Sequence, residues 1–103
     1  MNTMKRILIA TVKPFAPVAV KKIRKIFEKV DYKVELLEKY ESKDDLLKAV
    51  ATIDAAIIRS DKFDAEVLNA GRNLKLVVRA GAGYDNVDLP TATANNVVVM
   101  NTP

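Results

Sequence analysis

The strongest constraint on this chain is a repeated alternation of short apolar runs with amphipathic stretches. Residues 7–12 read Ile-Leu-Ile-Ala-Thr-Val, with none of the polar alternation of a half-exposed strand. Pro14 closes that run. Over residues 16–30 the apolar side chains fall at Ala16, Ala19, Val20, Ile23, Ile26, Phe27 and Val30, the spacing of one helix face. Lys21, Lys22, Arg24, Lys25, Glu28 and Lys29 fill the rest and read as a solvated face. Residues 33–37 predict a second strand. Ser42, with Asp45 three residues on, predicts a helix cap before Leu46, Leu47 and Val50. Residues 55–58 predict a third strand. Asp64 opens a short helix through Val67, Leu68 and Ala70 that ends at Gly71. Residues 76–78 predict a fourth strand, Asp88-Leu89-Pro90 a helix start, and residues 97–100 a fifth strand.

Strands apolar throughout and separated by helices require cover on both faces, which means an α/β fold with a parallel sheet. Five strands in this rhythm predict a flavodoxin-like doubly wound sheet, order 2-1-3-4-5. Residues 101–103 follow the fifth strand directly, so the usual closing helix is lacking. One flank of the sheet is expected to stay uncovered. At 103 residues the chain is expected to be one domain.

Composition narrows the chemistry. With no cysteine, the chain has no disulfide, no thiol nucleophile and no thiolate metal site. With no histidine, it has no imidazole base and no Ser-His-Asp triad. Carboxylates, lysines, hydroxyls and the backbone remain. The formal net charge of +4 suits a soluble surface or a small anionic ligand better than nucleic acid. No apolar run approaches the ~20 residues of a membrane span. The apolar run at residues 7–10 is too short for a signal segment and has no cleavage site, so a cytoplasmic protein is expected.

In open parallel sheets, ligands bind beyond the carboxyl ends of the strands. The first run is followed by Lys13-Pro14-Phe15, the third by Arg59-Ser60-Asp61-Lys62, and the fourth by Arg79-Ala80-Gly81-Ala82-Gly83. Each begins with a cation. Lysine offers a point charge, arginine a planar fork for carboxylate or phosphate. Small residues let backbone amides approach an anion closely. Lys13 also reads as a solvated loop lysine, Ser60 as a loop hydroxyl, and Gly81 and Gly83 as turn geometry. Arg59 ends a buried run, so it pairs with either a ligand or a structural partner. The glycines do not complete a dinucleotide fingerprint. Its third glycine would stand at Asn86, and no chain remains for the acidic ribose partner. Val12-Lys13 and Arg59-Ser60 occupy the places where a phosphoacceptor receiver needs carboxylates, and Lys13-Pro14-Phe15 is no flavin phosphate loop.

Residues 57–103 resemble the substrate-binding domain of the D-2-hydroxyacid dehydrogenases. Three motifs carry the likeness: Arg59-Ser60 after a strand, the run from Arg79 through Asn86 to Leu89, and Val99-Met100-Asn101-Thr102-Pro103. The resemblance implies a two-domain parent whose second domain binds NAD and carries the catalytic histidine. This chain then corresponds to the isolated first lobe, a truncation without turnover of its own and without tight NAD binding. It further implies that Arg59, Ser60 and Arg79 face a phosphorylated hydroxyacid. Ala80, Gly81 and Ala82 would receive the substrate carboxylate, with Ala82 also near the nicotinamide. No metal, nucleic-acid or membrane partner is implied, and a homo-oligomeric parent is expected. Other members of the family, including glyoxylate or hydroxypyruvate reductases, and a stand-alone scaffold domain are the alternatives.

Overall fold

The structure, a computed structural model, describes residues 5–11, 17–29, 32–38, 40–59, 61–80 and 86–102. Strands and helices alternate in the order β1 (Lys5–Thr11), α1 (Pro17–Glu28), β2 (Tyr32–Glu38), α2 (Lys43–Val50), β3 (Ala55–Ile58), α3 (Ala65–Ala70), β4 (Leu76–Ala80), α4 (Leu89–Ala94) and β5 (Val98–Thr102). The five strands form one parallel sheet in the order β2-β1-β3-β4-β5, the order that the sequence predicts.

Right-handed crossovers decide which helix goes where. The chain steps one way from β1 to β2, then back across β1 to β3 and onward. That reversal puts α1 on one face and α2, α3 and α4 on the other. The second face holds the main core. Leu8 and Ala10 of β1, Ala56 and Ile58 of β3, and Val77 of β4 meet Leu46 and Val50 of α2, Val67 and Leu68 of α3, and Ala92 of α4. Phe63, Ile53, Leu74, Val87 and Val97 fill the space between, and Phe63 is fully buried.

Ile7, Ile9 and Val34 point to the α1 side and are buried there. The cover thins toward β5. Ile57, Leu76 and Val78 are half-buried, while Val98 and Met100 are 58% and 53% exposed. The registers Ile57 to Val78 and Val78 to Met100 put these side chains on one face. An open flank was expected from the sequence, and among the described residues α1 is the helix on that side.

Helix starts follow their caps. Ser42 Oγ accepts from the Asp45 amide, Asp64 Oδ1 from the Val67 amide at 3.1 Å, and Asp88 Oδ1 from the Thr91 amide at 3.3 Å. The strand starts are tied by Asp54. Its amide donates to the Arg6 carbonyl, its carboxylate accepts from the Arg6 amide, and its carbonyl accepts from the Lys75 amide, each at 2.8 Å. The bonds to Arg6, with the pairing of Lys5 to Tyr32 of β2, extend β1 back over two residues too polar to signal a buried strand. Ser60, Val12 and Lys13 lie outside the described residues, as do Ala16 and Val30 at the ends of the expected first helix.

One expectation needs correction. The fifth strand starts at Val98, not Val97. Asn96 has φ +58°, a left-handed turn that asparagine tolerates. It drops Val97 into the core, with its amide donating to the Ala92 carbonyl at 2.8 Å. Gly71 ends α3, as the sequence predicts, with φ −82°. Its requirement is space, because a Cβ there would meet Leu74 Cβ at 2.9 Å. Gly71→Ala should therefore cost about 1–3 kcal/mol through overpacking. Denaturant unfolding would measure it, and an unchanged midpoint would contradict the steric account.

Candidate functional site

The carboxyl ends of β3 and β4 place Arg59 and Arg79 on one rim. Arg79 is the fourth residue of β4 and stands in register with Ile58, so Arg59 follows one residue beyond that pair. Both side chains are half-buried, and both have hydrogen-bond or ionic partners. Ala80 ends β4 beside Thr102. Ser60, Gly81 and Ala82, the other candidate residues, lie outside the described residues.

Three residues that the sequence reading did not single out as site residues organise this rim. Asn86 is the first. Its Oδ1 accepts from Arg79 Nε at 3.0 Å, and its Nδ2 donates to the carbonyls of Arg59 at 3.0 Å and Asp61 at 2.8 Å. Asp61 is the second, a buried carboxylate with 6% exposure. Its Oδ1 accepts from the Arg59 amide at 3.3 Å and its Oδ2 from the Tyr40 hydroxyl. Tyr40, the third, follows β2. It reaches the exit of β3 over the end of β1, the strand between them. A buried carboxylate is costly unless it is satisfied, and these donors satisfy it.

The backbone beneath is equally fixed. The Phe63 amide donates to the Asn86 carbonyl at 2.8 Å and the Asp88 amide to the Phe63 carbonyl at 2.9 Å, with Phe63 and Val87 bridged in parallel. Nearby, Lys43 Nζ contacts Asp64 Oδ2 at 2.5 Å and Glu66 Oε1 at 2.7 Å, joining the starts of α2 and α3. That contact holds the Asp64 carboxyl below the ordinary carboxylate range, with the Val67 amide adding to it. Among the described residues no group of three carboxylates or other ligands could hold a metal ion, and no helix is long and apolar enough to cross a membrane.

The arrangement ties two arginine-bearing strand exits together through Asn86. A dinucleotide cradle is a poor fit to the same residues. Position 86 is a hydrogen-bonded asparagine where a third glycine would be needed, and the next helix begins only at Leu89.

Comparison with known proteins agrees with the motif reading. The family model for the D-isomer specific 2-hydroxyacid dehydrogenase catalytic domain matches residues 7–103. A D-3-phosphoglycerate dehydrogenase from Archaeoglobus fulgidus is 36% identical over 99 residues, covering 95% of this chain and 18% of that protein. A hydroxypyruvate reductase from Thermotoga maritima is 38% identical over 71 residues, covering 68% of this chain and 23% of its own. The crystal structure of NAD+-bound 3-phosphoglycerate dehydrogenase from Entamoeba histolytica superposes with a TM-score of 0.94 at 46% identity, over 98% of this chain and 33% of that one. The chain thus spans about a fifth of those two sequence relatives and a third of the solved enzyme.

Tyr40 gives the rim a pH signature. Burial, then the hydrogen bond to Asp61 and its charge, push the phenol well above its ordinary value. A raised pKa stabilises the fold while the phenol is protonated, fully below the ordinary tyrosine value of about 10. That contribution is lost as pH rises beyond it. Tyr40→Phe should cost about 1–3 kcal/mol at neutral pH by leaving Asp61 short of a donor. The gap to the wild type should narrow as pH climbs from about 10 to about 12. Denaturant midpoints across that range would show it, and a gap independent of pH would refute the assignment.

Proposed function

Since this chain belongs to the D-isomer-specific 2-hydroxyacid dehydrogenase family, we propose that it is the substrate-binding lobe of an NAD-dependent D-3-phosphoglycerate dehydrogenase. The full reaction oxidises 3-phosphoglycerate to 3-phosphohydroxypyruvate, an entry step to serine. NAD supplies the hydride acceptor when bound, and a separate dinucleotide-binding domain holds it. The proton acceptor also comes from outside this chain, which has no histidine.

The chain's own part is to bind and orient. Arg59 and Arg79 supply positive charge at the rim, and guanidinium forks suit the carboxylate and phosphate of the substrate. By the family resemblance, the amides of Ala80, Gly81 and Ala82, with Ser60, would receive the substrate's anionic groups, and Ala82 would be the residue toward the nicotinamide. The single observation that carries this reading is the pairing of the two arginine-bearing strand exits through one asparagine, at the end of the sheet where such folds bind ligands. Likeness to enzymes named for phosphoglycerate supports the phosphorylated substrate. The parent is then a cytoplasmic homo-oligomer.

A second reading has its own support. The Thermotoga relative named as a hydroxypyruvate reductase is 38% identical. An unphosphorylated hydroxyacid would use the same carboxylate site and leave one cation without a role in phosphate binding.

The purified chain should bind 3-phosphoglycerate, with shifts in the Arg59 and Arg79 side-chain N–H resonances. It should form no NADH when NAD is added. Arg79→Gln should weaken binding about tenfold or more, the worth of one hydrogen bond to a charged group. Equal or tighter binding of hydroxypyruvate would favour the second reading. NADH formation above blank would overturn the idea of an inactive lobe.

A further inference from the structure

We infer that Asn86 is a positioning residue, one that sets the anion affinity of the rim through Arg79 and the Arg59–Asp61 turn without touching the ligand. The inference rests on the rim being the substrate site proposed above.

The chemistry of the side chain is the starting point. A primary amide offers an acceptor oxygen and two N–H donors on one rigid plane. Here the oxygen takes Arg79 Nε and the nitrogen gives to two carbonyls, those of Arg59 and Asp61. An aspartate would keep the acceptor but put a carboxylate against two carbonyl oxygens. A leucine of similar size would keep none of the three bonds. Among side chains of this length, only the amide meets all three demands.

The amide itself has little freedom to move. Its backbone carbonyl is held by the Phe63 amide, and its neighbour Val87 is bridged to the fully buried Phe63. Asn86 therefore transmits the position of the core to the rim. The bond at Nε holds the Nε–H direction of Arg79 and so restrains the orientation of its guanidinium. The two carbonyl bonds fix the turn from which the Arg59 side chain departs. An anion arriving at this rim meets a fork already oriented, so less side-chain freedom is lost on binding.

A residue that only supports the fold would weaken binding independently of Arg79. One that acts through Arg79 would not. Binding of 3-phosphoglycerate to the 103-residue chain separates the two by a double-mutant cycle. Asn86→Leu should weaken binding about tenfold, one charged hydrogen bond's worth, and shift the Arg79 Nε–H resonance while core amide resonances stay in place. Asn86→Ser, smaller and easier to accommodate, should show the same trend. In an Arg79→Lys background, the Asn86 substitution should cost much less than tenfold. Unchanged affinity in both Asn86 variants would overturn the inference and leave the substrate site standing. So would full additivity of the two losses. If the unsubstituted chain fails to bind 3-phosphoglycerate, the substrate-site reading falls, and this inference falls with it.

Discussion

The handedness of the crossovers is the constraint on which the rest of this structure depends. β1 lies inside the sheet, with β2 on one side and β3 on the other. Only one reversal of direction occurs, between β2 and β3. Right-handed connections then put α1 on one face and gather α2, α3 and α4 on the opposite one. The dense core follows, and so does the unequal cover of the two faces. All strands being parallel, every exit loop opens on the same rim. The exits that carry Arg59 and Arg79 are adjacent because of topology, not because the two residues are close in sequence.

Placement alone does not make a site. A charged group at the end of a buried strand is costly unless its surroundings answer it. The rim answers with directional bonds. Asp61 divides its carboxylate between the Arg59 amide and the Tyr40 hydroxyl, and Asn86 spans the exits of β3 and β4. The bonds run from the β2 exit to the β4 exit, so the three exits behave as one unit.

The apolar body of the fold was legible in the sequence because buried strands leave unbroken runs of Ile, Leu and Val. Helix starts were legible because Ser42, Asp64 and Asp88 cap by a local rule. Strand ends were less so. Arg6 joins β1 with bonds to Asp54, 48 residues away, and Lys5 pairs with Tyr32 of β2, and no local pattern announces either. Val97 reads as strand but belongs to the core, because a left-handed Asn96 turns the chain first. At the rim, the cations were legible once topology placed the exits together. Asn86 was visible as a failed glycine and as a member of a family motif, but not as the link between two strand exits. Its partners lie 25 and 27 residues upstream, joined by polar groups that carry no periodic signal.

Core and rim divide the labour differently. Apolar contacts are many and individually weak, so trimming one removes a graded amount of stability. The rim's bonds are few and directional, and losing one strands a desolvated polar partner. Asp61, with only 6% of its surface exposed, cannot turn to water for a replacement donor. The core therefore supplies strength and the rim supplies orientation. Donors held in place before a partner arrives need no reorganisation when it does, and that preorganisation is what makes electrostatic recognition effective.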